Sequence, residues 1–249
     1  MKKQFQILAT TFITIAIVSC SKERIEMQDT APNSTEEITT TSSSSSGHLV
    51  VNPLLVNLEG WFPFDGNLKD QTKKLPDGIS TKRSVIYTHD RKGIFKGAIK
   101  FDSTYGVRLF KVPQQTHASI SLWVRYDNPN MGTGRMIVKP KTTGLGLSKV
   151  KTVISGSVDL LPNYSLGVSA GSTDKYWHHF VVTFDDDTLR IYKDGQLSAS
   201  VPSSVTYPQI LEDYFIGCKN NEWFEGSVDE LRFYSRTLSA NDVTLLYNQ

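Results

Sequence analysis

Residues 119–126 read Ser119-Ile120-Ser121-Leu122-Trp123-Val124-Arg125-Tyr126. In an extended chain successive side chains point to opposite faces, so Ile120, Leu122, Val124 and Tyr126 share one face while Ser119, Ser121, Trp123 and Arg125 share the other. That is the pattern of a strand buried on one side. The same parity recurs in residues 177–184, where His178, Phe180, Val182 and Phe184 fall together, and in 188–192, where Leu189 and Ile191 do. Asp194-Gly195 then supplies the positive-φ pair of a tight hairpin turn before a strand at 196–201. Further strands are expected at 58–64, 84–88, 97–101, 106–111, 135–139, 164–168, 213–217 and 227–234. A helical period of 3.6 emerges only at the end, in Ala240 to Tyr247, with Ser239 as cap and Asp242 as an acidic variant of the capping box. Many short strands between Gly, Asn and Asp turns predict an all-β protein, a two-sheet antiparallel sandwich of the jelly-roll kind with one short C-terminal helix.

This sandwich is expected over residues 48–249, because all 4 Trp and all 10 Tyr lie there. What precedes it has a different character. Residues 1–19 carry Lys2 and Lys3, an apolar run from Ile7 to Val18, and a small residue before Cys20, which is a signal-peptide layout. The run is too short to cross a ~30 Å hydrocarbon core. Residues 20–47 form a tether, with 12 Ser or Thr among the 27 residues after Cys20 and no aromatic residue, too polar to bury a core. The whole chain has 27 Lys and Arg against 25 Asp and Glu, and the excess is Lys2 and Lys3. A neutral mature protein has no electrostatic footprint for nucleic acid. With 2 Cys in total it is not a disulfide scaffold.

Four blocks resemble the laminin G-like, concanavalin A-like jelly-roll family of bacterial surface proteins. They are Gly60-Trp61-Phe62-Pro63-Phe64-Asp65-Gly66-Asn67 with Asp70; the run from Gly93 to Asp102; Trp177 to Asp185 continuing to Tyr192-Lys193-Asp194-Gly195; and Phe224 to Ser239. Their order and spacing agree with the family. The resemblance implies fold more than function, since lectins, glycosidases, adhesins and spacers share it. Ile17-Val18-Ser19-Cys20 is similar to a bacterial lipobox, which implies cleavage before Cys20, acylation of Cys20, and an anchor durable because it has several chains. Lys22-Glu23 and Asp29-Thr30-Ala31 are similar to export and O-glycosylation signals of Bacteroidetes lipoproteins. That resemblance implies an outer-membrane protein facing the cell exterior.

Glycoside hydrolysis needs two carboxylates across one bond, and the Glu-x-Asp-x-x-Glu strand of laminarinase-type relatives is absent. The adjacent pairs Asp229-Glu230 and Glu212-Asp213 are expected to point to opposite faces. A non-catalytic binder of a glycan or glycoprotein is therefore the expectation; a hydrolase or lyase, and a structural or adhesion module, are the alternatives. A sugar site needs an aromatic face and nearby polar groups. The candidates are Trp223, Arg232, Tyr234 and Glu230, with Trp123 and Arg125. The family resemblance implies a calcium site that joins the chain ends through Asp65 or Asp70 and Asp229. The loop after Gly217 is too short for pentraxin-type ligand capture. His178 is expected as a packed, hydrogen-bonded core residue, and Cys218 as a buried thiol.

Overall fold

Two antiparallel sheets are pressed face to face around a single main core. The computed structural model describes residues 51–249 except 82–83, 128–134, 151–152, 162–163, 173, 205–208 and 220–221. The chain separates into two units, Met1–Asn33 and Ser34–Gln249, and all described residues belong to the second. The expected leader, Cys20 and tether lie outside the described residues.

After a 3₁₀ turn at Pro53–Leu55, the strands in chain order are β1 (Leu58–Phe62), β2 (Ile79–Ser80), β3 (Ile86–Thr88), β4 (Ala98–Asp102), β5 (Val107–Gln114) and β6 (His117–Tyr126). They continue as β7 (Arg135–Pro140), β8 (Gly144–Val150), β9 (Val153–Leu161), β10 (Tyr164–Ser172), β11 (His178–Asp185) and β12 (Thr188–Lys193). The last are β13 (Gln196–Pro202), β14 (Ile210–Ile216), the hairpin β15 (Cys218–Lys219) and β16 (Glu222–Trp223), and β17 (Glu225–Tyr234), followed by helix α1 (Ala240–Tyr247). One sheet runs β13-β12-β11-β6-β17-β4-β3, with β1 also on β17, and the other runs β10-β9-β8-β7-β14-β5-β2. We refer to them as the eight-stranded and seven-stranded sheets.

The expected alternation packs the core. Ile120, Leu122, Val124 and Tyr126 from β6 meet Phe180, Val182 and Phe184 from β11, and opposite them lie Leu109, Leu145, Leu147, Val158, Tyr214 and Ile216 of the seven-stranded sheet. Phe180 and Phe184 are fully buried, and full burial of such a side chain contributes ~1.5 to 3 kcal/mol. The hairpin turn behaves as its residues dictate, with φ of 51° at Asp194 and 81° at Gly195. At the C-terminus the capping box forms: Asp242 N–H donates to Ser239 Oγ (3.2 Å) and Ser239 N–H donates to Asp242 Oδ2 (2.9 Å).

Five strands were not legible in the pattern, namely β2, β8, β9 and the two-residue β15 and β16, which lie in the loop expected after Gly217. The stretch Gly144-Leu145-Gly146-Leu147-Ser148 alternates correctly, but its outward positions are glycine and serine, so it lacks the branched residues that mark a strand.

Candidate functional site

The outer side of the eight-stranded sheet holds most of the residues with expected sugar-facing parity, and the fold covers them. Helix α1 and the Pro53–Leu55 turn lie there over a second apolar cluster made of Leu54, Leu58, Val181, Tyr192, Tyr234, Leu238, Val243 and Leu246. Tyr234 is therefore buried, 2% exposed, and is not a platform. Trp123 stacks on Tyr247 (centroids 5.6 Å, 16° between planes) and contacts His179 (5.2 Å), while the Arg91 guanidinium lies 4.9 Å from its centroid. Arg232 is 7% exposed, sits 4.7 Å from the Trp61 ring, and donates to Glu230 Oε2 (2.8 Å) and Gln249 Oε1 (2.6 Å). Glu230 Oε2 also accepts from Trp61 Nε1 (2.7 Å). Arg125 lies 5.3 Å from the Trp177 ring. The cleft lined by Arg91, Trp123, His179, Glu230, Arg232 and Gln249 has a cavity volume of about 10 Å³, room for a single water at most and far below the ~300 Å³ at the small end of ligand pockets.

Trp223 is elsewhere. It is half-buried, facing Cys218 across the β15–β16 hairpin. Arg232 and Tyr234 stand nine and eleven positions further along the chain, which is roughly 25 Å or more at ~3.3 Å per residue. The three do not form one platform. Cys218 is half-buried rather than buried.

The Asp229-Glu230 pair departs from parity. Glu230 has φ of 54° and the β17–β6 register shifts between Asp229 and Arg232, which marks a bulge. Val228 and Leu231 enter the core, so the two intervening residues, Asp229 and Glu230, both face outward. The pair is nonetheless committed to protein partners: Asp229 Oδ2 accepts from Arg91 Nη1 at 2.6 Å and Asp229 is 2% exposed. Burial pushes the Asp229 carboxyl up to about 8, against the pull of Arg91 and with Glu230 adding to the rise.

Calcium does not fit the expected ligands. Asp70 Oδ1 accepts the N–H of Trp61 (2.8 Å) and Thr72 (3.1 Å), and Oδ2 accepts Thr72 Oγ1 (2.6 Å) and the N–H of Lys74 (3.0 Å) and Leu75 (2.8 Å). Five donors leave that carboxylate organising its own loop. Asp229 is held by Arg91, and Asp65 is exposed in its turn. Burial raises Asp65 first, then the nearby Glu230 and Asp90 charges, with Arg91 opposing. Among the described residues no group of three His, Cys, Asp or Glu side chains could hold a metal ion.

The neighbouring histidines diverge. His178 places Nδ1 2.7 Å from Asp194 and Nε2 3.0 Å from Asp174, and these carboxylates, Asp194 foremost, raise its pKa against partial burial. His179 is 1% exposed, shares a 2.9 Å hydrogen bond with Ser121 Oγ, and is held near a pKa of about 3 by burial, with Arg232 and Arg91 adding to the effect.

The seven-stranded sheet has the opposite character on its outer side. Val107 and Leu109 point inward, so Arg108 faces out. Tyr214 and Ile216 do likewise for Phe215. Register aligns Ile79, Arg108, Phe215 and Lys139 in one row, continued by Gly146, Ser157 and Gly167 on β8 to β10. Arg108 ion-pairs with Asp213 and lies 4.8 Å from the Phe110 centroid and 5.8 Å from that of Phe215. Burial opposes ionisation of Asp213, but Arg108, the Lys111 N–H and Lys141 together hold it below the usual carboxylate range. Both rings are half-buried. The floor beyond them is small: Gly144, Asp159 and Ser165 form one cross-strand row, and Ser148, Ser155 and Ser169 another. A Cβ on Gly146 would stand 3.3 Å from both Lys139 Cγ and Ser157 Oγ, so glycine lets those side chains converge. Ser157 is 8% exposed and its hydroxyl has no protein partner. An aromatic and cationic wall beside a Gly/Ser floor can stack a ring and hydrogen-bond its hydroxyls. Parity could not find it, because in the apolar run Tyr214-Phe215-Ile216 only the register decides which residue faces out.

A bulge-modified jelly roll with these two faces defines the class of protein. The chain belongs to the concanavalin A-like lectin/glucanases superfamily, whose laminin G-type profile matches residues 102–244. No curated protein sequence matches it. Among solved structures it is similar to domain 4 of AbnA, a GH43 extracellular arabinanase from Geobacillus stearothermophilus, in complex with arabinotriose, with TM-score 0.64, 19% identity, and coverage of 77% of this chain and 98% of that one. It is also similar to the binding domain of botulinum neurotoxin DC in complex with SialylT, with TM-score 0.61, 14% identity and coverage of 77% and 51%. A botulinum neurotoxin type C structure, described as dependent for cell entry on two ganglioside molecules, has TM-score 0.63, 14% identity and the same coverage. The chain spans about half the length of these neurotoxin chains.

Proposed function

We propose that the protein is a lipid-anchored, non-catalytic glycan-binding module, held by an acylated Cys20 at the outer membrane and facing the cell exterior. The observation that carries the binding role is the outer side of the seven-stranded sheet, where Phe110 and Phe215 stand beside Arg108, Asp213 and Lys139 over a Gly/Ser floor. The similar structures support the same role, since one is a domain described with arabinotriose and another a binding domain described with SialylT. The tether then serves as reach, allowing the domain to meet polysaccharide beyond the membrane surface.

Catalysis is disfavoured by the same geometry. The carboxylates brought to one face, Asp229 and Glu230, are bound to Arg91, Arg232 and Trp61 inside a covered cleft. The test is to challenge the purified full-length chain with a polysaccharide panel, measuring retention in affinity gels and release of reducing ends. Retention without product is expected, and Phe215→Ala should remove retention while Trp223→Ala leaves it. Product release, or retention untouched by Phe215→Ala together with Phe110→Ala, counts against the reading.

A further inference from the structure

We propose that the glycan taken by the seven-stranded sheet is acidic, carrying carboxylate or sulfate groups on its rings. The proposal rests on the glycan-binding reading above and assigns its ligand class. Apart from Lys2 and Lys3, the chain has equal numbers of cations and anions, yet they are not evenly distributed.

On the other side of the molecule four arginines have carboxylate partners, Arg91 with Asp229, Arg232 with Glu230, Arg190 with Asp185 and Arg236 with Asp242, while Arg125 lies against the Trp177 ring instead. On the outer side and rim of the seven-stranded sheet, the described charged side chains are Arg108, Lys111, Lys139 and Lys141 against Asp159, Asp213 and Glu212, the last buried and bound to Thr142 beneath the turn that carries Lys141. Asp213 is taken by Arg108, whose Nε donates at 3.2 Å, and by the Lys111 N–H, also at 3.2 Å. Among the described residues, Arg108 is the one cation of this face with an ion-pair partner; Lys111, Lys139 and Lys141 have no carboxylate within 4.0 Å.

Structure explains why these cations converge. Lys111 has φ of 55° where the β14–β5 register shifts between Glu212 and Tyr214, so Phe110 and Lys111 both sit opposite Asp213 between the inward residues Leu109 and Val112. Lys139 leans across Gly146 beside the unpartnered Ser157 hydroxyl. An anionic ring stacked near Phe215 would thus meet the Lys139 ammonium group on one side and the Arg108 guanidinium on the other, the arrangement that favours charge-assisted hydrogen bonds. A neutral sugar would leave the excess positive charge uncompensated. An acidic peptide would meet the same charge but find few side-chain pockets in a floor of Gly and Ser.

The experiment compares matched polymers on the full-length chain in neutral detergent: polygalacturonate and hyaluronan against their carboxyl-reduced forms, dextran sulfate against dextran, and poly-glutamate as the peptide arm. An acidic glycan from at least one pair should bind about tenfold more tightly than its neutral partner, and about 500 mM NaCl should remove the difference through screening. Exposed charge contacts change affinity by roughly two- to fivefold each, so the triple variant Lys111→Gln, Lys139→Gln, Lys141→Gln should lose about tenfold or more for the acidic polymer and clearly less for its neutral partner. Its melting temperature should stay within a degree or so, since the three lysines make no ion pairs. Equal binding of acidic and neutral polymers, weakened by Phe215→Ala, would overturn the acidic class while leaving the glycan reading intact. Binding of poly-glutamate as tight as that of the best glycan overturns the ligand class. No retention of any polymer overturns both.

Discussion

Trp123 illustrates how far a residue's surroundings can override its parity. It faces away from the main core, yet Tyr247, His179 and Arg91 surround its ring. Trp123 is half-buried but stacked on three side chains, so Trp123→Ala should cost ~1 to 3 kcal/mol, whereas Phe215→Ala should cost less and lose binding instead. Urea titrations of the two variants compare these costs directly. His179 permits a pH prediction. Its folded pKa of about 3 lies below the ordinary 6.5, so the unfolded chain takes up the proton first and the stability due to neutral His179 is lost as pH falls from 6.5 toward 3. The stability advantage of wild type over His179→Gln should shrink across that window by at most ~1.4 kcal/mol per pH unit. Asp229 has the opposite sign. With its pKa raised from 3.8 to about 8, it stabilises the protonated fold at low pH, and Asp229→Asn should gain on wild type as pH rises from 4 to 8. An advantage independent of pH in either variant would contradict the burial that underlies the shift.

At the scale of the element, β17 and α1 decide what the eight-stranded sheet can do. The bulge at Asp229-Glu230 rotates two carboxylates to one side and sets Glu230 between Trp61 and Arg232. Without the positive φ at Glu230, one of the pair would enter the core uncompensated. Helix α1 then closes this side, and its start depends on the Ser239 and Asp242 box. Ser239→Ala should cost ~1 kcal/mol and loosen Tyr247 from Trp123, seen as a change in near-UV circular dichroism. A variant as stable as wild type with an unchanged aromatic spectrum would mean that the cap does not hold the helix.

For the whole molecule, two expectations concern what lies beyond the sandwich. The Asp70 and Asp229 carboxylates are occupied by protein donors, so melting curves in excess chelator and in millimolar calcium should coincide; an upward shift with calcium would require a site built from other residues. The anchor proposed at Cys20 predicts that radiolabelled palmitate enters the wild-type chain and fails to enter Cys20→Ala. Fractionation would then find the variant released from membranes or retained with its leader.

The sequence by itself determined the two-sheet sandwich, its main core and the terminal helix, because alternation, turn residues and capping act over a few neighbouring positions. Ile120 to Tyr126, Asp194-Gly195 and Ser239 with Asp242 behave as their local chemistry dictates. Only the tertiary structure decided which outward face is covered and which is open. Trp123, Arg232 and Phe215 all stand on outward sides of strands, the last by register alone, and their difference depends on α1 returning over one sheet and on Gly and Ser aligning across β8, β9 and β10. Those are contacts between residues far apart in the chain, set by strand register and by a single bulge, which a pattern of period two does not encode.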